Sequence, residues 1–214
     1  MDELFSDHML QDPAARAEIV RRCRAGRFPD EPDAPAHDLG WLTLPDGTRT
    51  RVWLCHAADA VPLDDLGQTL LIIRRHNPGR GKLALPGGLV DALPGDGMET
   101  SRAAALRELV EETGLPPASL AGAKVTQLGH RRFARPFDIR RAWNDLPGTP
   151  VREGELFTVS TLPFLVRITG DLRELSLRAG DDASAVRVVP AARVRQEELA
   201  VPDHFDFLRE ALNV

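Results

Sequence analysis

The chain has 214 residues, enough for one globular domain with a small extension and a sizeable core. Apolar residues make up 43% and charged residues 28%, ordinary values for a folded soluble chain, and no segment reaches the roughly 20 apolar residues of a membrane span. The net charge of −5 carries no basic footprint for nucleic acid, and two cysteines, Cys23 and Cys55, are too few for a disulfide scaffold and wrongly spaced for zinc.

The opening MDELFSDHMLQDP has neither a basic n-region nor an apolar stretch, so the chain is read as cytoplasmic, with both thiols reduced. Residues 13–25 read as a helix, capped by Asp12, with Pro13 at the first helical position and Gly26 at the end. Four arginines (Arg16, Arg21, Arg22, Arg24) are the one feature favouring DNA contact, but no second helix follows to complete a DNA-binding pair. Residues 29–38 are rich in Pro and Asp and read as a linker. Residues 40–56 read as a hairpin turned at Asp46-Gly47, and 69–75 as a strand buried on both faces. KLALPGGLVD is extended, with a Pro-Gly-Gly break. A helix runs from about Glu99 to Thr113, ended by Gly114 and barred from continuing by Pro116-Pro117. Strands follow at 123–133, 156–168 and 184–189, and a short helix at 203–212. Residues 134–155 form a long polar loop. This order predicts an α/β fold, a mixed sheet packed between helices.

On the 99–113 helix, Glu108, Glu111 and Glu112 stand three and four residues apart and share one face. Three like charges there repel, and a bound divalent cation would offset them, since hard cations take carboxylate oxygens. A solvated Glu-rich face is the competing meaning. Against it stand the position of the cluster in the C-terminal half of the helix, where the macrodipole disfavours carboxylates, and the preceding glycine turn, which permits close approach of a ligand.

The pattern E99-x7-R107-E108-L109-V110-E111-E112-T113-G114-L115, preceded by LPGGLVD at 85–91, resembles the Nudix box of the MutT-like hydrolases. It departs in one respect: ten residues, not five, separate Gly88 from Glu99, and Asp91 stands where Glu is common. The resemblance implies an α/β/α sandwich with an N-terminal helix and hairpin, divided as 1–39 (helix and linker) and 40–214 (hydrolase domain, box 88–115). It implies that Glu108, Glu111, Glu112 and the Gly87 carbonyl hold Mg²⁺, or Mn²⁺ in its place, and that Arg107 and Glu99 pair to support the helix. A general base is expected in the long loop, at Glu153 or Glu155. Metal ions bridging a diphosphate would neutralise charge and orient water in line with the leaving group.

Residues 179–189 (AGDDASAVRVV) and 202–212 resemble the C-terminal part of ADP-ribose pyrophosphatase-like members. The expected reaction is then hydrolysis of a nucleoside diphosphate derivative, ADP-ribose to AMP and ribose 5-phosphate. Arg131, Arg132, Arg135, Arg140 and Arg141 are candidate phosphate contacts, and Trp41 and Trp53 candidate base-stacking faces, although such residues are commonly surface ion pairs and core. The alternatives are a MutT-like triphosphate pyrophosphohydrolase and, with less support, a nucleotide-sensing regulator. The resemblance further suggests a homodimer, with the 40–56 hairpin as a possible interface, and partners limited to small nucleotides.

Overall fold

A computed structural model of the chain describes residues 9–76, 79–93, 97–133, 139–180 and 182–214. In chain order its helices and strands are α1 (Pro13–Ala25), β1 (Ala36–Thr43), β2 (Arg49–Asp64), β3 (Gln68–Arg74), β4 (Leu83–Ala84), β5 (Gly87–Leu89), β6 (Ala92–Leu93), β7 (Gly97–Met98), α2 (Ser101–Thr113), β8 (Lys124–Gln127), β9 (Arg132–Phe133), β10 (Arg140–Arg141), β11 (Leu156–Ile168), β12 (Ala183–Pro190) and α3 (Asp203–Ala211). The fold is α/β with a mixed sheet, as the sequence led us to expect. Among the described residues no helix is long and apolar enough to cross a membrane. The chain forms two compact units: Met1–Ala57, Leu89–Ser101 and Arg131–Thr161 make the first, and Ala58–Gly88, Arg102–His130 and Leu162–Val214 the second.

In the first unit, Asp12 caps α1 by accepting the Ala15 N–H at 2.6 Å, and Pro13 follows at the position that needs no donor. Ala15, Ile19 and Cys23, spaced by four, bury one face of α1 against Leu42, Leu44, Val52 and Leu54. Fully burying a side chain such as Ile19 contributes roughly 1.5–3 kcal/mol. The β1–β2 hairpin turns at Asp46-Gly47, whose Asp carboxylate accepts the Thr48 N–H, and a bulge at Asp38–Gly40 interrupts its register. Cys23 and Cys55 are buried and free.

Three features of this unit correct the sequence-based picture. The stretch read as a linker is tied down, since Asp30 and Glu31 both accept hydrogen bonds from Arg131 or Ser101. The stretch read as a long polar loop carries a short strand: Arg140 pairs with Phe157 and Arg141 with Leu156, and the Ala142 N–H donates to the Glu155 carbonyl. Buried Ala142 and Val151 pack with Trp53 and Phe157, apolar positions too sparse in a polar stretch to show a period. The residues inserted in the box are closed by a two-rung ladder, Ala92 to Met98 and Leu93 to Gly97, with Asp91 and Glu99 bonded at its neck.

In the second unit β12 lies along the whole of β3, from Gln68–Pro190 to Arg74–Ala183, while β4 pairs β3 on a short ladder and β8 pairs residues 164–167 of β11. These ladders are antiparallel, and a parallel bridge joins Leu83 to Leu199. Val61, Leu63, Leu71, Leu85, Leu165 and Phe207 form the core. On α3, His204, Phe207, Leu208 and Ala211 make the buried stripe. Asp203 is the first residue of α3, and Pro202 takes the cap position. The strand anticipated over 123–133 is two short strands, broken around Gly129-His130.

Candidate functional site

In the second unit, Leu109 and Thr113 bury one side of α2 while Glu108, Glu111 and Glu112 line the other. The helix ends at Gly114, which takes a positive φ of 63° that a side chain would strain, and whose N–H still reaches the Val110 carbonyl at 2.8 Å. The box helix starts at Ser101, so Glu99 lies outside it at the neck of the inserted hairpin.

The glycine turn approaches α2 closely. The Gly87 N–H donates to Glu112 Oε2 at 3.0 Å. A Cβ on Gly88 would collide with the Glu108 carboxylate, and one on Gly87 with the Asp59 carboxylate and the Ala58 carbonyl. Only glycines allow the backbone to lie so near these oxygens. Glu112 is 7% exposed. Burial pushes its carboxyl up to about 8, with the charges of Glu108 and Asp182 adding to the shift and the Gly87 N–H and Arg74 opposing it. Burial raises Glu108 too, against its hydrogen bond with Arg107. Glu111 is more open, its side chain 58% exposed.

Arg107 links the carboxylates. Its Nη1 lies 2.7 Å from Glu108 Oε1 and 3.1 Å from Glu111 Oε2. One guanidinium thus bridges two of the three glutamates. The donor set suits a hard divalent cation: the oxygens are carboxylates, and buried Glu112 and half-buried Glu108 lack enough positive charge to keep their carboxyls in the usual range. The arrangement with Arg107 between the glutamates is not itself a cation cage, for among the described residues no three His, Cys, Asp or Glu side chains converge as metal ligands. Asp182 and Asp59 are the acidic neighbours not singled out as site residues from the sequence.

The NUDIX domain family model matches residues 54–211, about three quarters of the chain. The chain belongs to the Nudix family. No curated protein matches it. Among solved structures it is similar to the NUDIX domain of Shewanella oneidensis NrtR complexed with ADP ribose, at 20% identity, covering 79% of this chain and 92% of that one with a TM-score of 0.49. A bifunctional NMN adenylyltransferase/ADP ribose pyrophosphatase from Francisella tularensis, complexed with AMP and a Mn ion, is also 20% identical with a TM-score of 0.49, covering 94% of this chain and 47% of that one. A C. elegans Ap4A hydrolase is 16% identical, covering 74% and 95%, again with a TM-score of 0.49. Membership of the Nudix family rests on the family model alone.

The remaining candidates of this Nudix chain lie in the first unit. Arg131 is buried and all five of its guanidinium donors are engaged: Nε and Nη2 reach the Asp30 carbonyl, Nη1 the Ala57 and Ser160 carbonyls, and Nη2 also the Ser101 hydroxyl. None is left for a substrate phosphate. Beside it, the Glu31 carboxylate accepts the N–H of Ser101 at 2.8 Å and so satisfies a free donor at the start of the Nudix helix. Trp53 is buried, its indole N–H donating to Glu155 at 2.7 Å and the Arg51 guanidinium lying over its ring. Glu155 also accepts the Arg152 N–H, so this carboxylate is engaged, whereas Glu153 is exposed. Trp41 is 52% exposed beneath Arg49. Arg140 is half-buried over the Phe157 ring, and Arg141 donates to the Gly154 carbonyl. Arg135 lies outside the described residues.

His56, fully buried, holds the Ser160 hydroxyl at 3.1 Å through Nδ1 and meets His37 edge-on. Burial, then the nearby Arg131 charge, then His37, lower its pKa to about 3. The unfolded chain takes up this proton near pH 6.5, so the stability owed to the neutral ring is full above that pH and is lost as pH falls toward 3. We expect the stability gap between wild type and the non-titrating His56→Gln, measured by urea unfolding, to narrow by about 2 kcal/mol from pH 7.5 to pH 5. A gap independent of pH would mean that the ring charges in place.

Proposed function

We propose that the chain is a metal-dependent pyrophosphohydrolase acting on a nucleoside diphosphate derivative, with ADP-ribose as substrate and AMP and ribose 5-phosphate as products. The observation that carries this reading is the pair of carboxylates, buried Glu112 and half-buried Glu108, set against the Gly87–Gly88 turn. Glu108, Glu111, Glu112 and the Gly87 carbonyl would hold Mg²⁺ or Mn²⁺, with Arg107 giving up its bridge to the glutamates. Such ions, when bound, neutralise a diphosphate and lower the pKa of attacking water.

The residues have distinct parts in this reading. Glu112 keeps the Gly87 N–H engaged and so fixes the turn. Glu153 is the candidate base, since Glu155 is committed to Trp53 and Arg152. Arg140 is the described arginine we assign to a substrate phosphate, and exposed Trp41 the face for a base. The choice of ADP-ribose is supported by the likeness of residues 179–189 and 202–212 to ADP-ribose pyrophosphatase-like members, and the first of these segments lies against the box helix, where the Gly180 N–H donates to the Glu112 carbonyl at 3.0 Å.

A panel of ADP-ribose, other nucleoside diphosphate derivatives, nucleoside triphosphates and dinucleoside polyphosphates, each incubated with Mg²⁺, tests the substrate class. We expect monophosphate products from ADP-ribose. Pyrophosphate from a triphosphate with ADP-ribose untouched would replace this substrate by a MutT-like one.

A further inference from the structure

His204 stands on α3, 119 residues along the chain from Leu85, and is 4% exposed. Its Nδ1 accepts the Leu85 N–H at 2.9 Å. A ring nitrogen that accepts carries no proton, so the proton of the neutral ring sits on Nε2. That Nε2 faces Asp59 Oδ2 at 3.7 Å. Asp59 is itself 8% exposed and lies directly under Gly87.

Leu85-Pro86-Gly87 is therefore held at each residue. Leu85 N–H goes to His204, the Pro86 carbonyl accepts the Ala60 N–H at 2.8 Å, and Gly87 N–H goes to Glu112. Two of these three anchors are side chains, one on the Nudix helix and one on the last helix. α3 is in turn fixed by Phe207, Leu208 and Ala211, buried in the same core as Leu85. A displacement of His204 would free a buried backbone donor two residues before Gly87, a group that costs about 1–3 kcal/mol to leave unmade.

We propose that His204 is a positioning residue for the metal site: it sets the height of the Leu85–Gly87 turn, and hence of the Gly87 carbonyl, over the α2 carboxylates, and Asp59 holds its ring in the accepting tautomer. The inference rests on the reading of Glu108, Glu111, Glu112 and Gly87 as a cation site. Residues one step removed from a metal, which only orient its ligands, commonly change metal affinity by 10–100-fold.

The test is Mn²⁺ affinity of the full chain, followed by electron paramagnetic resonance, beside thermal melting. His204→Ala should weaken Mn²⁺ binding about tenfold or more. His204→Asn, whose side-chain carbonyl can accept the Leu85 N–H, should stay within a few-fold of wild type. Phe207→Leu, a core change on the same helix that leaves the hydrogen bond in place, should lower the melting temperature while keeping Mn²⁺ affinity. Should His204→Ala fail to fold, Asp59→Asn takes its place and is expected to weaken binding in the same direction. Unchanged Mn²⁺ affinity in a folded His204→Ala or Asp59→Asn, or equal weakening in Phe207→Leu, overturns the inference while the metal reading stands. No Mn²⁺ binding by the wild-type chain overturns both.

Discussion

Glu112→Gln should cut kcat by roughly 10³-fold, about 4 kcal/mol of barrier, while the protein stays folded. Glutamine keeps an oxygen to accept the Gly87 N–H, so the turn is held, but it removes the negative charge a cation would bind. The same replacement should raise the melting temperature of the metal-free protein, because a buried carboxyl whose ionisation is opposed by burial and by Glu108 gives way to a neutral amide. The two effects have opposite signs in one variant. Activity within a few-fold of wild type would sink the assignment of Glu112 to the metal site, and an unchanged or lower melting temperature would sink the account of its burial.

Arg131→Ala should have the largest effect on stability of any single arginine, a loss of about 3–5 kcal/mol on urea unfolding. The guanidinium satisfies the Asp30, Ala57 and Ser160 carbonyls together with the Ser101 hydroxyl, and these groups would be left in a site that is only 8% exposed. Arg131→Lys should recover little of this, since one ammonium cannot reproduce the planar fork. A substrate contact would behave in the opposite way, with stability near wild type and a raised KM. That second pattern would return Arg131 to the list of phosphate-binding candidates.

The contrast between these two residues shows how far the sequence could be read. Glu108, Glu111 and Glu112 share a helix face because of spacing alone, and spacing is visible in a string of letters. Glu112 and Gly87 meet because an adjacent turn packs on that helix, and the box pattern already placed both. Arg131 was singled out for its charge, which is legible, but its role depends on carbonyls at 30, 57 and 160, which no local pattern connects. Arg107 is a similar case: its bridge to Glu108 and Glu111 is the ordinary reach of neighbours one and four residues apart.

Elements were legible where periodicity or punctuation was strong. α1 is bounded by Asp12-Pro13 and Gly26, and β11 by its apolar run, and both match residue for residue. β2 runs on to Asp64, well past the hairpin end at 56; HAADAVPL is alanine-rich, with Val61 its one β-branched residue, and so does not announce a strand. Asp59 escaped notice altogether, and His204 was marked only as part of the 202–212 resemblance. Asp59 is a lone carboxylate in an alanine-rich segment and His204 sits among the charges of the last helix, and only the fold brings them to the glycine turn.

Hydrolysis of ADP-ribose with Mg²⁺ in ¹⁸O-labelled water, followed by mass spectrometry of both products, tests the central claim most directly. The account predicts AMP and ribose 5-phosphate, one of the two carrying a single ¹⁸O, as water attacks one phosphorus of the diphosphate. Recovery of ADP-ribose and every other nucleotide intact, with Mg²⁺ or Mn²⁺ present, would contradict it.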